Sequence, residues 1–231
     1  MSNMFDCSVD TDLLTGMRLA KIAIARGQLV VVPTDTVYGV AADAFSPEAV
    51  KALLAAKGRG PQSPPPVLIG NQAALNALAT DIHPVAIELA EAFWPGALTM
   101  IFKAQPSLAW NLGETRGTVA LRIPDHKIAL ALLQETGPLA VSSANLTGQP
   151  AATTAAAAQD YLGKSVEVYL DAGMSPKGEA STILDLTGLS GQPDGKIRVV
   201  RQGALSVDKI RLIAGDLLEA PAEAADPGVS A

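Results

Sequence analysis

The stretch that most restricts the fold of this chain is Gln28 to Pro33, QLVVVP, which after its first residue is an unbroken apolar run dominated by β-branched residues. A strand with one wet face alternates apolar and polar side chains, whereas a run without alternation marks a strand covered on both faces. The surrounding sequence must therefore supply layers on either side. Residues 11–26 do so as an amphipathic helix, with Leu13, Leu14, Met17 and Ile24 at helical spacing and Gly27 at its stop. Ser46-Pro47-Glu48 starts another, Ser46 as cap and Pro47 in the first turn, and this helix runs to about Ala56 and delivers Lys57 and Arg59 just past its end.

The same alternation continues. Residues 58–66 are rich in Gly and Pro and form a loop. Strands are expected at 67–70, 98–102, 118–123, 139–142, 166–170, 182–186 and 197–201. Helices are expected after Asn71 and at 84–93, 127–135, 151–162 and 207–214, with a Trp94-Pro95-Gly96 turn closing the second of these. Strands interleaved with helices predict an α/β domain, and the closeness of the late strands predicts a mixed sheet. No break in composition divides residues 1–215, whereas 216–231 has too little apolar content to pack and reads as a disordered tail.

Composition removes several classes of function. Among 231 residues there is one cysteine, Cys7, and two histidines, His83 and His126, so an internal disulfide, a multi-cysteine zinc site and a three-histidine metal centre are all excluded. Cys7 falls in a polar N-terminal segment expected to be mobile, with no basic neighbour to activate it. No apolar run approaches the roughly 20 residues that span a bilayer, and the first dozen residues carry no signal-peptide pattern. The expectation is a soluble, cytoplasmic protein. Its net charge of −6 is the reverse of a nucleic-acid coat, but an acidic protein can still carry a basic cleft.

The polar residues that packing does not explain stand at element ends: Thr34-Asp35-Thr36, Lys57 and Arg59, Arg122, Ser142-Ser143-Ala144-Asn145, Ser181-Thr182, Arg198 and Arg201. In open α/β sheets, ligands bind in crevices at strand ends. Lysine offers a point charge, arginine a bidentate fork, serine and asparagine neutral donors, a set suited to a polyphosphate. Neither a G-x-x-x-x-G-K-[ST] loop nor a G-x-G-x-x-G fingerprint occurs, so a nucleotide has to be held by side chains from several loops.

PTDTVYG (33–39), KGR (57–59), PPVLI (65–69), FWPGALT (93–99), VALRIPDH (119–126), SSANLTGQPA (142–151), STILD (181–185) and VRQGA (200–204) follow one another in order. Together they resemble the Sua5/YrdC/YciO family of threonylcarbamoyl-AMP synthases, over roughly Leu13 to Ile213. The resemblance implies a YrdC-like curved mixed sheet flanked by helices around one large basic cavity. It implies an ATP-dependent nucleotidyltransferase that converts L-threonine, bicarbonate and ATP, with Mg²⁺, into threonylcarbamoyl-AMP and pyrophosphate. The product would serve modification of adenosine 37 in tRNA, so tRNA or a downstream threonylcarbamoyl transferase complex is an expected partner.

Carried over residue by residue, the resemblance implies that Thr36, Arg122 and Ser181 bind threonine, and that Lys57, Arg59, Ser63, Thr118, Ser143, Asn145 and Arg201 bind ATP. Lys57 and Arg59 are the expected catalytic pair, and no protein metal ligand is implied. The pattern departs at Gly60, where Pro is common, at Leu68, where some relatives have His, and at Ala151, where others have Ser. The chain ends soon after VRQGA, which predicts the short, single-domain form.

Each of these residues alone has a structural reading. Thr34 to Thr36 could form an Asx/ST turn, Lys57 and Arg59 could complete a helix C-terminus, and Ser142 to Asn145 could be a capping loop. His83 reads as a cap, His126 as loop structure near the site, and Trp94 as turn packing. Two alternatives stand beside the enzyme: a YciO-like nucleotide- or RNA-binding relative with weak or different activity, and an RNA-binding module. The acidic total charge disfavours RNA as the main ligand.

Overall fold

The computed structural model describes residues 3–192 and 194–220. Its elements are β1 (Met4–Asp6), α1 (Asp10–Ala25), β2 (Val30–Val32), β3 (Gly39–Asp43), α2 (Pro47–Ala56), β4 (Val67–Leu68), α3 (Ala73–Leu78), β5 (Ala79–Thr80), α4 (Pro84–Phe93), β6 (Leu98–Ala104), β7 (Thr118–Arg122), α5 (Lys127–Thr136), β8 (Leu139–Ser143), α6 (Ala155–Leu162), β9 (Val168–Asp171), β10 (Thr182–Asp185), β11 (Arg198–Arg201) and α7 (Val207–Ala214). The strands join one mixed sheet in the order β1-β9-β2-β3-β8-β4-β7-β6-β10-β11, with β5 beside β6. The α/β class and the mixed sheet are as the sequence predicts.

The valine run behaves as its composition demands. Val30, Val31 and Val32 are all buried. Val31 faces a large core with Tyr38, Leu53 and Leu98, while Val30 and Val32 face a second core built with Ala20, Ala23 and Ile24 of α1 and Ile128 and Leu132 of α5. Helix starts follow their local chemistry: Ser46 accepts from Ala49 N–H at 3.3 Å, Asn71 from Ala74 N–H at 3.2 Å, and His83 Nδ1 from Val85 N–H at 3.2 Å.

Among the features that differ from the sequence reading, three bear most on the packing. The N-terminal segment is not loose: β1 pairs in parallel with β9, the Cys7 N–H donates to Asp171 O at 2.7 Å, and Cys7 is buried. Strand β3 (GVAAD) was not expected, because glycine and alanine carry little strand preference. It forms because β2 and β8 pair with it on both sides. At the other end, Gly215–Leu217 makes a 3₁₀ turn, and Leu218 is buried and bridges to Ile197, so the first residues assigned to the tail pack against the domain. Residues 221–231 of that tail lie outside the described residues.

Candidate active site

One face of the sheet is covered throughout by the large core; the other is covered by α1 and α5 over only part of its width. Beyond them, over β6, β7 and β10, it opens as a cavity of about 320 Å³. Strand alternation sorts the side chains. On β6, Leu98, Met100 and Phe102 enter the core while Thr99 and Ile101 face the cavity; on β7, Leu121 enters the core while Thr118, Ala120 and Arg122 face the cavity. Register aligns them across strands, Ile101 with Ala120 and Thr99 with Ile183.

At one end of the cavity stands Arg122, a buried arginine at the end of β7. The 94–96 turn, held by Trp94 Nε1 donating to Leu98 O at 2.7 Å, presents Gly96 O to Arg122 Nε at 2.8 Å. Arg122 Nη1 donates to Thr36 Oγ1 at 3.0 Å, and Nη2 forms an ion pair with Asp35. Thr36 is set in turn by Thr34, whose hydroxyl lies 2.9 Å from Thr36 Oγ1 and donates to Val37 O at 2.6 Å. Thr99 and Ser181 share a hydroxyl contact of 2.8 Å, and Arg201 Nη2 donates to Ser181 O at 2.8 Å.

At the other end Arg59 reaches into the cavity, with Nε on Thr147 Oγ1 at 3.0 Å and Nη1 on Ser142 Oγ at 3.3 Å. Ser142 and Ser143 end β8 at the cavity wall. The cations sense one another. Burial, and then Arg59, lower the pKa of Arg201; burial lowers that of Arg122, and Arg201 adds to the effect against the opposing pull of Asp35. Gathering cations this closely disfavours their charged forms, a cost that a nearby negative charge would offset.

Of the residues singled out from sequence, Thr36, Arg59, Thr118, Arg122, Ser143, Ser181 and Arg201 line this one cavity. Lys57, Ser63 and Asn145 do not. Lys57 is completely buried, and its ammonium donates to the carbonyl oxygens of Ser143 and of Asn145, the latter at 2.7 Å. Thr147 closes the same unit from above, its hydroxyl donating to Lys57 O at 2.8 Å. The Lys57 ammonium is thus directed at the loop behind the wall rather than into the cavity. Asn145 is likewise occupied, donating to Leu146 O at 2.9 Å and Gln149 O at 2.7 Å. Ser63 sits half-buried on the loop that brings Pro64 to Pro66 to the cavity.

Residues that the sequence reading left unassigned also belong here. Thr34, Thr99 and Ser142 line the cavity and bond its functional side chains. Asp35 lies beneath it. The signal for Thr34 and Asp35 was their place at a strand end; Thr99, inside a strand, gave none beyond its polarity.

The described residues hold no cluster of three or more His, Cys, Asp or Glu able to bind a metal, and no carboxylate lines the cavity. No helix among them is long and apolar enough to cross a membrane.

The fold is a mixed α/β sheet whose cavity draws arginines and hydroxyls from several strand ends. The Sua5/YciO/YrdC family model, described as telomere recombination, matches residues 22–203, and the chain belongs to that family. A Mycobacterium tuberculosis (strain CDC 1551 / Oshkosh) protein provisionally named threonylcarbamoyl-AMP synthase is 47% identical over 215 residues, covering 93% of this chain and 96% of its own length. The threonylcarbamoyl-AMP synthase of Pyrococcus abyssi is 36% identical over 208 residues, 89% of this chain but 59% of the longer archaeal protein. The crystal structure of P. abyssi Sua5 complexed with L-threonine superposes with a TM-score of 0.80 at 35% identity, covering 87% of this chain and 58% of that one.

Proposed function

We propose that this protein is an L-threonylcarbamoyladenylate synthase, a nucleotidyltransferase that joins L-threonine, bicarbonate and ATP. The observation that carries the reading is the presence, in one cavity, of two sets of cationic and hydroxyl side chains: Arg122 with Thr36 and Ser181 at one end, Arg59 with Ser142 and Ser143 at the other, and Arg201 close enough to interact with both arginines. The relatives' names and the L-threonine complex support threonine as a substrate; we assign the Arg122 end, a buried guanidinium beside two hydroxyl-bearing residues, to the amino acid's carboxylate and the Arg59 end to the triphosphate.

The chemistry asks little of the protein beyond placement and charge. The amine of threonine attacks the carbon of bicarbonate, water leaves, and a carbamate results. A carbamate oxygen then attacks the α-phosphorus of ATP, and pyrophosphate departs with the electrons of the broken P–O bond. Every participant but the amine is an anion, so holding them together against repulsion supplies most of the catalysis. Arg59 and Arg201 would neutralise the phosphates, and Thr118 and the 142–143 hydroxyls would orient them. Lys57 would act by holding the 143–145 loop in place. Magnesium would enter on the triphosphate, since the cavity offers it hydroxyls rather than carboxylates. The adenylate would then pass, in the cytoplasm, to a separate transferase acting on tRNA.

The test supplies purified protein with ATP, Mg²⁺, L-threonine and labelled bicarbonate. Label in an adenylate that forms only with threonine supports the reading; ATP consumption indifferent to threonine overturns it.

A further inference from the structure

Asp35 does not line the cavity, and no substrate role falls to it, yet its carboxylate is the point at which the Arg122 end is assembled. It is buried at 4% exposure, below Thr36 and among the groups that fix the cavity floor. Oδ1 takes Arg122 Nη2 and, at 3.0 Å, the backbone N–H of Asp125; Oδ2 faces Lys177 Nζ at 3.4 Å. These contacts tie the loop after β2, the end of β7 and the segment before β10 into one unit.

Arginine has five N–H donors, and three hydrogen bonds are accounted for by Gly96 O, Thr36 Oγ1 and Asp35. Two N–H groups remain, which is what bidentate binding of a carboxylate requires. A guanidinium that is only 6% exposed would be a costly isolated charge without a counter-ion. Asp35 supplies the counter-charge from below, and a carboxylate seated in the cavity would approach Arg122 from above. The orientation of the two remaining donors is thus fixed by Asp35 together with Gly96.

We propose that Asp35 is a positioning residue for the amino-acid substrate: it sets the plane of Arg122 and thereby controls affinity for L-threonine while leaving the nucleotide end untouched. The inference rests on the reading of the Arg122 end given above. Lys177, 43% exposed in its side chain, provides the outer partner.

The experiment measures binding of L-threonine and of ATP separately, by calorimetry, to the wild type, Asp35→Asn, Arg122→Gln and the double variant. Asp35→Asn is expected to lose roughly tenfold or more in L-threonine affinity, the scale of effect that a small misplacement produces, with ATP affinity changed less than about twofold. On the Arg122→Gln background the same substitution should cost nothing further, because the group it orients is gone. The double variant carries no buried charge pair, so it supplies this comparison even if Asp35→Asn alone fails to fold. Equal loss of threonine and ATP affinity, unaltered threonine affinity in Asp35→Asn, or an additional loss on the Arg122→Gln background overturns the proposal. A wild type that binds ATP but no L-threonine overturns the functional reading itself, a result distinct from variants that match a threonine-binding wild type.

Discussion

The ammonium of Lys57 lies 2.7 Å from the carbonyl oxygen of Asn145, 88 residues further along the chain. Helix α2 ends at Ala56, and the lysine beyond it turns inward to gather the loop that follows β8. The wall that presents Ser143 to the cavity is therefore built around a buried cation. Arg59, two residues on, is the member of the pair that reaches the cavity.

Lys57→Met should destabilise the fold, because two buried carbonyls lose a charged donor at about 1–3 kcal/mol per unsatisfied group. The effect also carries a pH signature. Burial, with Arg59 adding, lowers the Lys57 pKa from 10.5 to about 8. Between those values the unfolded chain holds a proton that the folded chain has released, so this residue's contribution raises stability as pH increases from about 8 to 10.5. Urea unfolding across that range should show the wild type gaining on Lys57→Met. A difference that stays flat would contradict the buried, depressed lysine.

Arg59→Ala should behave in the opposite way. It removes one of several mutually repelling cations, so stability should hold within about 0.5 kcal/mol. Losing charge-assisted bonds worth about 1.5–3 kcal/mol should raise the KM for ATP roughly ten- to a hundredfold. Steady-state kinetics with threonine saturating tests this, and full turnover in both Arg59→Ala and Lys57→Ala would contradict a catalytic role for the KGR segment.

Gly39 is required by space, not by backbone freedom. A Cβ there would lie 2.6 Å from Val141 Cγ1, on the strand that walls the cavity. Gly39→Ala should cost about 1–3 kcal/mol, as overpacking does. The loss should largely vanish on a Val141→Ala background, which thermal unfolding of the four combinations would show.

Cys7 should be inert while the protein is folded. It is buried, and burial together with Asp171 and Asp6 pushes its pKa up to about 11. An aromatic disulfide reagent at neutral pH should label it only after denaturant is added; labelling at the rate of a free thiol would contradict the docked N-terminal strand.

The parts of this molecule that could be read in its sequence are those where local chemistry and final environment agree. The valine run could only be a doubly covered strand, and Ser46-Pro47-Glu48 could hardly be anything but a helix start. Strand β3 was illegible because Gly39, Ala41 and Ala42 have no preference of their own; neighbours 100 residues away at Val141 and Ser142 make the strand. The cavity's cations were legible as polar residues at strand ends. Their directions were not: nothing in KGR tells that the lysine points away from the cavity and the arginine into it. Asp35 was hidden for a related reason, since a turn carboxylate acquires meaning only from Arg122, 87 residues distant.

The most direct measurement is a crystal structure with L-threonine and a non-hydrolysable ATP analogue bound together. It should show the threonine carboxylate on Arg122, the phosphates within hydrogen-bonding distance of Arg59 and Ser143, and the two ligands in the same cavity with the amine facing the α-phosphate. Either ligand bound elsewhere, or phosphates on Arg122 with Arg59 turned to solvent, would contradict it.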